Sequence, residues 1–341
     1  MTGHTGFKGA WLSFFLVKLG AKVTGVSLPP AGQENLYNKL KLSELIDHSY
    51  YQDIRDEKKI EQLLINSKPE IIFHMAAQSL VMESYSDPLN TYDVNVIGTL
   101  KLLLACRKLD NLKVVIVVTS DKCYENQEWE WPYRENDKLG GFDPYSNSKA
   151  CCELVVDSFR NSFLGDGSEN NFSIATARAG NVIGGGDYSD NRIVPDFYRA
   201  YKSKKPITLR MPDAIRPWQH VLEPLYGYLM LAYKNYFDSN KYSGAWNFGP
   251  DDSDFLTVKQ LIDGINDFLD HKVKIKTQSS KFHEAKILKL DNTKAKIHLN
   301  WKPRLNSTDV VRLICDFFNS ENINLTVDNQ IDYYLSKVKE Q

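Results

Sequence analysis

Val-Val-Ile-Val-Val-Thr-Ser-Asp-Lys-Cys-Tyr, residues 114–124, joins an apolar, β-branched run directly to a cluster of polar side chains. The run is typical of a strand that is buried on both faces of a parallel sheet. In such sheets ligands bind beyond the carboxyl ends of the strands, which is where Ser120, Asp121 and Lys122 stand. We therefore interpret these three side chains as candidates for an active site.

The segments around this strand alternate between strand-like and helix-like patterns. Apolar, β-branched runs predict strands over residues 21–27, 71–75, 113–119 and 173–178. Helix-like apolar spacing lies between them, over residues 92–109 and 145–163. Alternation of this kind predicts an α/β fold with a doubly wound parallel sheet of the Rossmann type.

A glycine-rich loop, Thr-Gly-His-Thr-Gly-Phe-Lys-Gly (residues 2–9), stands directly before an apolar, helix-like stretch. The spacing of Gly3, Gly6 and Gly9 lets backbone N–H groups approach a pyrophosphate at the N-terminus of a helix. The loop predicts a dinucleotide site, with a plain helix-capping turn as the alternative. Because Ser27 stands where an acidic residue would bind the ribose, the sequence does not decide between NAD and NADP.

The strand that normally precedes such a loop is the central strand of a doubly wound sheet. Here the sequence begins at Met1, directly before the loop. A missing central strand would remove about five buried apolar side chains at roughly 1.5 to 3 kcal/mol each, which rivals the net stability of a domain. We therefore expect the first strand to be missing, and we hypothesise a truncated start.

Two further segments end predicted strands with residues that a cofactor could contact. Asp53 and Ile54 could lie against an adenine edge, and Ala76, Ala77 and Gln78 follow the strand predicted near residue 73. Small residues at a strand end let a dinucleotide pass close to the backbone. Ordinary packing at the strand end is the alternative for both segments.

Tyr145 and Lys149 lie four residues apart and would share one face of a helix. The spacing alone has little weight, because the Tyr-x-x-x-Lys pattern starts at Tyr37, Tyr145, Tyr198, Tyr201 and Tyr333. Only the match at Tyr145 opens a helix after a proline and follows a strand that ends in hydroxyl side chains. A phenol must lose about three pKa units to act as a base at neutral pH, and an adjacent ammonium together with an oxidised nicotinamide could supply this change.

Composition excludes several classes of protein. The formal net charge is −1, so no basic surplus favours binding to nucleic acid. No apolar run is long enough to cross a membrane and the N-terminus does not resemble a signal peptide, which predicts a cytoplasmic protein without a membrane partner. The cysteines form no Cys-x-x-Cys motif and the histidines are dispersed, so we predict no metal.

The sequence pattern changes near residue 180, because loop-like segments separate short predicted elements after this point. We expect a dinucleotide-binding domain over residues 1–180. Residues 181–341 are expected to form mainly a smaller, substrate-binding lobe, with some strands and helices returning to the main sheet.

Together these motifs resemble the extended short-chain dehydrogenase/reductase superfamily, and within it the CDP-glucose 4,6-dehydratases. Related dehydratases that act on dTDP- or GDP-sugars typically carry Asp-Glu where this chain has Asp121-Lys122. The resemblance spans nearly the whole chain, through residues 2–9, 74–78, 119–124, 143–149, 178–187, 216–223 and 246–250.

The resemblance implies a bound NAD, held in part by Gly3, Gly6, Phe7 and Gly9, that takes a hydride from C4 of CDP-glucose and returns it to C6. It also implies that water is eliminated across C5 and C6 to give CDP-4-keto-6-deoxyglucose, without net oxidation. The enzyme would then be a hydro-lyase of deoxysugar biosynthesis for surface polysaccharides such as lipopolysaccharide.

Roles for the catalytic residues follow from the same resemblance. Tyr145 would take the proton of the 4-hydroxyl, Lys149 would hold Tyr145 ionised and contact the ribose, and Asp121 would protonate the leaving water. Ser120 would donate a hydrogen bond to the substrate oxygen. Lys122 would either remove the C5 proton in its neutral form or, as we slightly prefer, stabilise the enolate as a cation.

Substrate binding is expected to depend on residues of the second half of the chain. Arg216 is the first candidate to hold the diphosphate and Arg192 the second, because a guanidinium matches phosphate oxygens. Surface charge or an internal ion pair is the alternative for both arginines. Asn181 could bind a phosphate or sugar oxygen, and His220 lies in the motif 216–223.

Two other functions remain possible at this point. A nucleotide-sugar 4-epimerase would share the glycine loop and the Tyr145/Lys149 pair, but it expels no water and has no use for Asp121-Lys122. A non-catalytic dinucleotide-binding protein is the other alternative. The resemblance further implies a homo-oligomer, a dimer or tetramer that associates through the helices predicted over residues 92–109 and 145–163.

Overall fold

The computed structural model describes residues 1–32, 34–164, 170, 172–251, 255–278 and 287–340. Within these ranges the strands, in chain order, are β1 (Thr24–Ser27), β2 (His48–Tyr51), β3 (Ile71–His74), β4 (Val114–Val118), β5 (Ser173–Ala179), β6 (Val182–Ile183), β7 (Ile207–Leu209), β8 (Ile215–Arg216), β9 (Gln219–His220), β10 (Gly244–Phe248), β11 (Leu256–Thr257) and β12 (Ile275–Thr277).

The α-helices of the same ranges are α1 (Phe7–Lys18), α2 (Leu36–Lys39), α3 (Leu42–Leu45), α4 (Glu57–Ser67), α5 (Val81–Ser86), α6 (Pro88–Tyr92), α7 (Thr99–Cys106), α8 (Pro144–Phe163), α9 (Ile193–Lys202), α10 (Leu222–Phe237), α11 (Ser239–Tyr242), α12 (Val258–Asp267), α13 (Ser307–Phe318) and α14 (Ile323–Lys339). Asp93–Gly98 and Ala295–Leu299 are π-helical, and Asp121–Cys123 forms a 3-10 turn. Within the described residues, none of these helices has the length and apolar character needed to traverse a bilayer.

The main sheet is parallel, with the strand order β10-β5-β4-β3. All five residues of β4 are buried, as the apolar run predicts. Val114, Ile116 and Val118 face the core formed with α1 and α10, whereas Val115 and Val117 face the core formed with α7 and α8. Because helices cover both faces of the strand, the predicted doubly wound sheet is confirmed.

Residues 1–3 lie between β1 and β3, where the first strand of the sheet was expected to be missing. Thr2 forms parallel bridges with both Val26 and His74. Its N–H donates to the carbonyl of Phe73 at 2.9 Å, and the N–H of Gly3 donates to the carbonyl of Val26 at 2.8 Å. The expectation is therefore corrected, since a short piece of strand does join the β1-β2 pair to the other strands.

Helix α8 begins where the sequence predicts it. Pro144 occupies the first turn, and the carboxylate of Asp143 caps the helix by accepting from the N–H of Ser146 at 2.9 Å. The predicted helix over residues 92–109 is instead divided into the end of α6, the π-helical turn and α7. Such π-helical turns are frequent at functional sites.

The second half of the chain contributes both to the main sheet and to a lobe beside it. Strand β10 pairs in parallel with β5 and extends the main sheet. Three small two-stranded sheets, β12-β7, β11-β8 and β6-β9, form the lobe. The lobe therefore stands at one end of the sheet, next to the residues that follow β4 and β5.

A buried carboxylate connects the C-terminal segments to α10. Glu223 accepts hydrogen bonds from the N–H of Arg304 at 2.7 Å, the N–H of Leu305 at 2.6 Å and the hydroxyl of Tyr334 at 2.8 Å. Burial raises the pKa of Glu223 to about 7, in spite of these donors. This contact fixes α14 and the segment before α13 against the core.

Candidate active site

A cleft of about 1430 Å³ lies between the carboxyl edge of the main sheet and the lobe. The structure brings all five residues that the sequence nominates for catalysis to this cleft. They are Ser120, Asp121, Lys122, Tyr145 and Lys149.

Asp121 is a buried acid that follows β4 directly. Its side chain is 2% exposed, and Oδ1 accepts a hydrogen bond from the hydroxyl of Ser120 at 3.0 Å. Oδ2 has no hydrogen-bond partner among the described residues. Burial raises the pKa of Asp121, and this effect outweighs the opposing cation of Lys122. The site thus presents a buried carboxyl whose pKa is raised and whose second oxygen has no partner within the described residues.

Gly180 makes room for this carboxyl. A Cβ atom at residue 180 would lie 2.3 Å from Oδ2 of Asp121 and 2.9 Å from the ring of Pro217. The absence of a side chain at the end of β5 is therefore a condition for the position of the acid.

Tyr145 lies in the first turn of α8 and is 8% exposed. Its N–H donates to the hydroxyl of Ser84 at 3.1 Å, which fixes the start of the helix. Burial raises the pKa of Tyr145 to about 12, while the hydroxyl of Ser120 and the cation of Arg192 act in the opposite direction. Without a ligand the phenol is therefore protonated at neutral pH.

Two lysines border the cleft beside this phenol. Lys149 is buried one turn further along α8, with Nζ 3.4 Å from the carbonyl of Val118, and burial lowers its pKa. Lys122 is half-buried, and its backbone N–H donates to the hydroxyl of Ser120 at 3.2 Å. Both residues therefore border the cleft, one directly after β4 and the other near the start of α8.

Lys8 is a site residue that the sequence analysis missed. It borders the cleft, with Nζ 5.9 Å from the ring centre of Tyr228. Burial lowers the pKa of Lys8 to about 7, and the cations of Lys149 and Arg192 add to this effect. The signal in the sequence was a basic residue inside the glycine loop, where only the glycines and Phe7 entered the interpretation.

The glycine loop has the geometry that a diphosphate requires. Gly3 has a φ of 76°, and a Cβ atom there would lie 2.7 Å from the backbone nitrogen of Ala76. A Cβ atom at Gly9 would lie 2.0 Å from the carbonyl oxygen of Gly3. Among the described residues, no acceptor faces the N–H groups of Phe7 and Lys8 in the first turn of α1. These donors at a helix N-terminus fit the phosphates of a dinucleotide.

The remaining cofactor candidates divide into two groups. Ala77 borders the cleft, whereas the side chain of Gln78 is buried and donates to Thr91 at 2.9 Å. Asp53 pairs with the guanidinium of Arg55 at 2.6 Å. Ile54 is 4% exposed and packs in the core against α7. Neither Asp53 nor Ile54 borders the cleft, and their roles at the cofactor stay predictions.

Arg192 bridges two sides of the cleft. Its guanidinium donates to the carboxylate of Asp187 at 2.9 Å and to the hydroxyl of Ser79 at 3.1 Å. Both partners border the cleft. The structure thus gives Arg192 the internal ion pair that the sequence left open as an alternative, at a position that also faces the ligand space.

Arg216 and Asn181 border the same cleft. Asn181 has a φ of 28°, which places the residue after Gly180 in the left-handed region. Such a backbone at a cleft is a frequent property of ligand sites.

His220 does not reach the cleft, and its nomination as a substrate-binding residue is corrected here. The side chain is fully buried and packs edge-on against Trp11, with ring centres 5.8 Å apart. Burial lowers the pKa of His220 to about 3, so the ring is neutral. The reason is local geometry, because β9 directs this side chain toward α1.

The end of the cleft near β7 carries further residues that the sequence analysis did not single out. Arg210 and Gln278 border it. Elsewhere in the cleft, Phe142 lies just before α8, with 77% of its surface exposed. No motif in the sequence identifies them. Among the described residues, no group of three His, Cys, Asp or Glu side chains is arranged to hold a metal ion.

A parallel Rossmann-type sheet, a glycine loop and a Ser/Tyr/Lys cluster define an enzyme of the extended short-chain dehydrogenase/reductase class. The chain belongs to the GDP-mannose 4,6 dehydratase family, whose model matches residues 1–314.

Comparison with known proteins refines this assignment. The chain is 43% identical over 343 residues to the CDP-glucose 4,6-dehydratase of Salmonella typhimurium, covering 98% of this chain and 95% of the relative. It is 25% identical to the UDP-glucose 4-epimerase of Mycoplasma pneumoniae, covering 74% and 77% of the two chains. The resemblance to CDP-glucose 4,6-dehydratases stated from the sequence is thus confirmed.

Solved structures agree on the fold. The UDP-glucose 4-epimerase of Thermotoga maritima with UDP-glucose has a TM-score of 0.78 at 22% identity, with 93% of this chain and 97% of that chain covered. The UDP-glucose 4-epimerase of Thermus thermophilus in complex with NAD has a TM-score of 0.79 at 20% identity, with 94% and 98% covered. At these identities the likeness establishes the fold alone.

Substitution Gly180→Ala tests the position of the acid. The added methyl group displaces the carboxyl of Asp121, and a misplacement of about 1 Å is expected to lower turnover by about 100-fold. Turnover of the nucleotide sugar and thermal unfolding are measured together. Gly264→Ala is the matched control, because a Cβ atom there meets its nearest neighbour at an ordinary 3.5 Å. Equal turnover in the two variants would contradict the role given to Gly180.

Proposed function

We propose that this enzyme dehydrates CDP-glucose to CDP-4-keto-6-deoxyglucose. One observation carries the proposal: the buried carboxyl of Asp121, with an unpartnered oxygen, borders the same cleft as Tyr145. Expulsion of a hydroxyl group requires an acid to protonate it, and burial raises the pKa of Asp121 above its usual range. The similarity of the whole chain to a CDP-glucose 4,6-dehydratase supports the same reaction.

The cofactor of the proposed reaction is NAD. It supplies a hydride acceptor at C4 and a hydride donor at C6, so that the reaction has no net oxidation. Gly3, Gly6, Phe7 and Gly9 would hold its diphosphate through the first turn of α1, and Ala76 and Ala77 would lie beside it. The unpaired donors of this turn support the assignment.

Tyr145 acts as the base for the 4-hydroxyl of the sugar. Its pKa of about 12 must fall before it can accept a proton at neutral pH. In its protonated form Lys149 supplies the positive charge beside it, and Ser120 orients the same substrate oxygen. The burial that raises the pKa of the phenol also makes each nearby cation more effective, because the local dielectric constant is low.

Asp121 protonates the hydroxyl group that leaves from C6. Lys122 is assigned the role of a cation that stabilises the negative charge formed when the C5 proton is released to water in the cleft, from which Asp121 regains the proton that it gave to the leaving hydroxyl. Its half-buried position at the cleft supports this role. An epimerase expels no water and needs neither group, so Asp121 and Lys122 distinguish the proposed reaction from that rival.

Arg216 is proposed to bind the diphosphate of the substrate, with Asn181 beside it. Arg192 is the second candidate, because its guanidinium is already shared between Asp187 and Ser79. CDP-glucose, a small molecule, is the proposed partner. The cytoplasm is the proposed location, which the five free cysteines support.

Self-association is proposed for the face formed by the π-helical turn, α7 and α8. Two apolar side chains are exposed on this face, Ile97 at 42% and Leu154 at 57%. Exposed apolar side chains on packed helices are typical of an interface between subunits. A dimer or tetramer would cover them.

Incubation with CDP-glucose tests the reaction. We expect a product lighter by one water and carrying a 4-keto group, detected by mass spectrometry and by the absorbance of 4-keto sugars in alkali. UDP-glucose, dTDP-glucose and GDP-mannose serve as comparison substrates and should react at least about 100-fold more slowly. A 4-epimer without loss of mass would favour the epimerase, and no change with any substrate would favour the non-catalytic alternative.

Substitution of Lys122 separates its two conceivable roles. Lys122→Met should abolish loss of water while C4 oxidation continues, so reduced nicotinamide accumulates and is seen by its absorbance. Lys122→Arg keeps the cation but cannot serve as a neutral base. Partial dehydration by the arginine variant supports the cationic role, and complete loss in both variants supports the neutral base. Unchanged dehydration in Lys122→Met would remove Lys122 from the mechanism.

Leu154→Glu tests the proposed subunit interface. A buried negative charge at the contact should convert the oligomer to monomers in light scattering after size exclusion, because an unpaired charge is costly to bury. Leu45→Glu is the control, since Leu45 is 42% exposed on α3, which packs with α1. A monomeric wild-type protein, or an oligomer that persists in Leu154→Glu, would contradict the proposal.

A further inference from the structure

A buried ion pair lies next to the catalytic residues and takes no part in the proposed reaction steps. Glu153 and Arg178 are each 3% exposed, with 2.9 Å between Oε2 and Nη2. Glu153 stands on α8 one turn after Lys149, and Arg178 lies in β5. A buried ion pair contributes little net stability. We therefore looked for a role of this pair in the neighbouring site.

Both carboxylate oxygens of Glu153 accept hydrogen bonds from β5 or from the residue that follows β4. Oε1 accepts a hydrogen bond from the hydroxyl of Thr119. Oε2 accepts from the hydroxyl of Thr176 at 2.6 Å, in addition to Arg178. Although burial alone would raise the pKa of Glu153, the guanidinium and these hydroxyls lower it. The group is therefore a carboxylate that holds α8 to the ends of β4 and β5.

Arg178 extends the same connection to the opposite side. Its Nη1 donates to the hydroxyl of Tyr124 at 2.8 Å and to the carbonyl of Glu135 at 3.0 Å. The hydroxyl of Tyr124 donates in turn to Asn247 at 2.7 Å. One network thus joins α8 with β4, β5, β10 and the loop after the 3-10 turn.

Charge is the second property of this network. Lys149 interacts electrostatically with titratable groups from four elements, which change its pKa or have their own pKa changed by it. They are Cys152 and Glu153 on α8, Cys123 on the 3-10 turn, Lys8 on α1 and His74 on β3.

At neutral pH only one of these neighbours is an anion. Burial raises the pKa of the thiols of Cys123 and Cys152, which therefore stay neutral. Burial lowers the pKa of His74 to about 3, so this ring is neutral as well. Glu153 is thus the single negative charge in this set that opposes the loss of the proton from Lys149.

We infer that Glu153 is a positioning residue for the proposed reaction, because its carboxylate locks α8, and with it Tyr145 and Lys149, against β4 and β5. The inference rests on the proposed function for its kinetic consequence. The same carboxylate is an anion that favours the protonated form of Lys149, and this effect does not depend on the proposed function. Glu153 touches no ligand and acts through Lys149, and through Thr119 on the neighbouring Ser120.

The experiment replaces Glu153 by Gln, which keeps the size of the side chain and removes the charge. Without the carboxylate, the pKa of Lys149 falls, so the cation beside Tyr145 is lost at a lower pH. In a profile of kcat/KM against pH, the falling limb should therefore move to lower pH by about one unit or more. A falling limb that coincides with that of the wild type would overturn the inference.

Two further variants separate charge from structure. Glu223→Gln is the matched control, because Glu223 is an equally buried carboxylate on α10 that binds the C-terminal segments. It should lower thermal stability and leave the falling limb in place. Glu153→Asp keeps the charge and shortens the side chain, so kcat should fall several-fold while the falling limb moves less than half as far as in Glu153→Gln. If Glu153→Gln does not fold, Glu153→Asp decides, and an unchanged kcat overturns the inference.

A spectroscopic titration keeps this test independent of the substrate. The ionisation of Lys149 is followed by NMR of the NAD-loaded protein with carbon-13-labelled lysine side chains, and its signal is identified by its absence from Lys149→Met. Glu153→Gln should lower the midpoint by about one pH unit or more. If CDP-glucose is not turned over, the proposed function fails while this titration still supports or overturns the inference. An unmoved midpoint would overturn it.

Discussion

The burial of β4 on both faces is the constraint on which the site depends. Its backbone groups pair with β3 on one side and β5 on the other, and its five side chains are enclosed by helices. The strand itself therefore carries only apolar side chains. The polar side chains stand in the residues that follow, Thr119 to Lys122, where the chain leaves the sheet and meets the start of α8.

Burial also sets the electrostatic state of the site. It raises the pKa of Asp121 and Tyr145 and lowers the pKa of Lys149 and Lys8, so each group is shifted toward its neutral form. A cleft prepared in this way responds strongly to charges that a ligand brings, because little water screens them. The phosphates of a nucleotide sugar and the positive ring of a nicotinamide are such charges. The reactive protonation states thus belong to the loaded enzyme.

Local patterns predicted most of the sheet, helix α8 and the residues gathered at the end of β4, because a strand run or a helix start is encoded within a few residues. Contacts between distant segments could not be predicted in this way. Arg192 meets Ser79 across 113 residues of chain, and His220 turns toward α1 only in the folded lobe. Lys8 was missed for the same reason, since its neighbours come from other elements. The short strand at Thr2 depends on pairing with two strands at once.

That pairing at Thr2 has a consequence for the glycine loop. Thr2 bridges both Val26 of β1 and His74 of β3, and the N–H of Gly3 donates to the carbonyl of Val26. The loop that starts at Gly3 is therefore anchored to two strands at once. A diphosphate bound at the first turn of α1 would meet donors that are preorganised, so little ordering of the loop would be needed on binding.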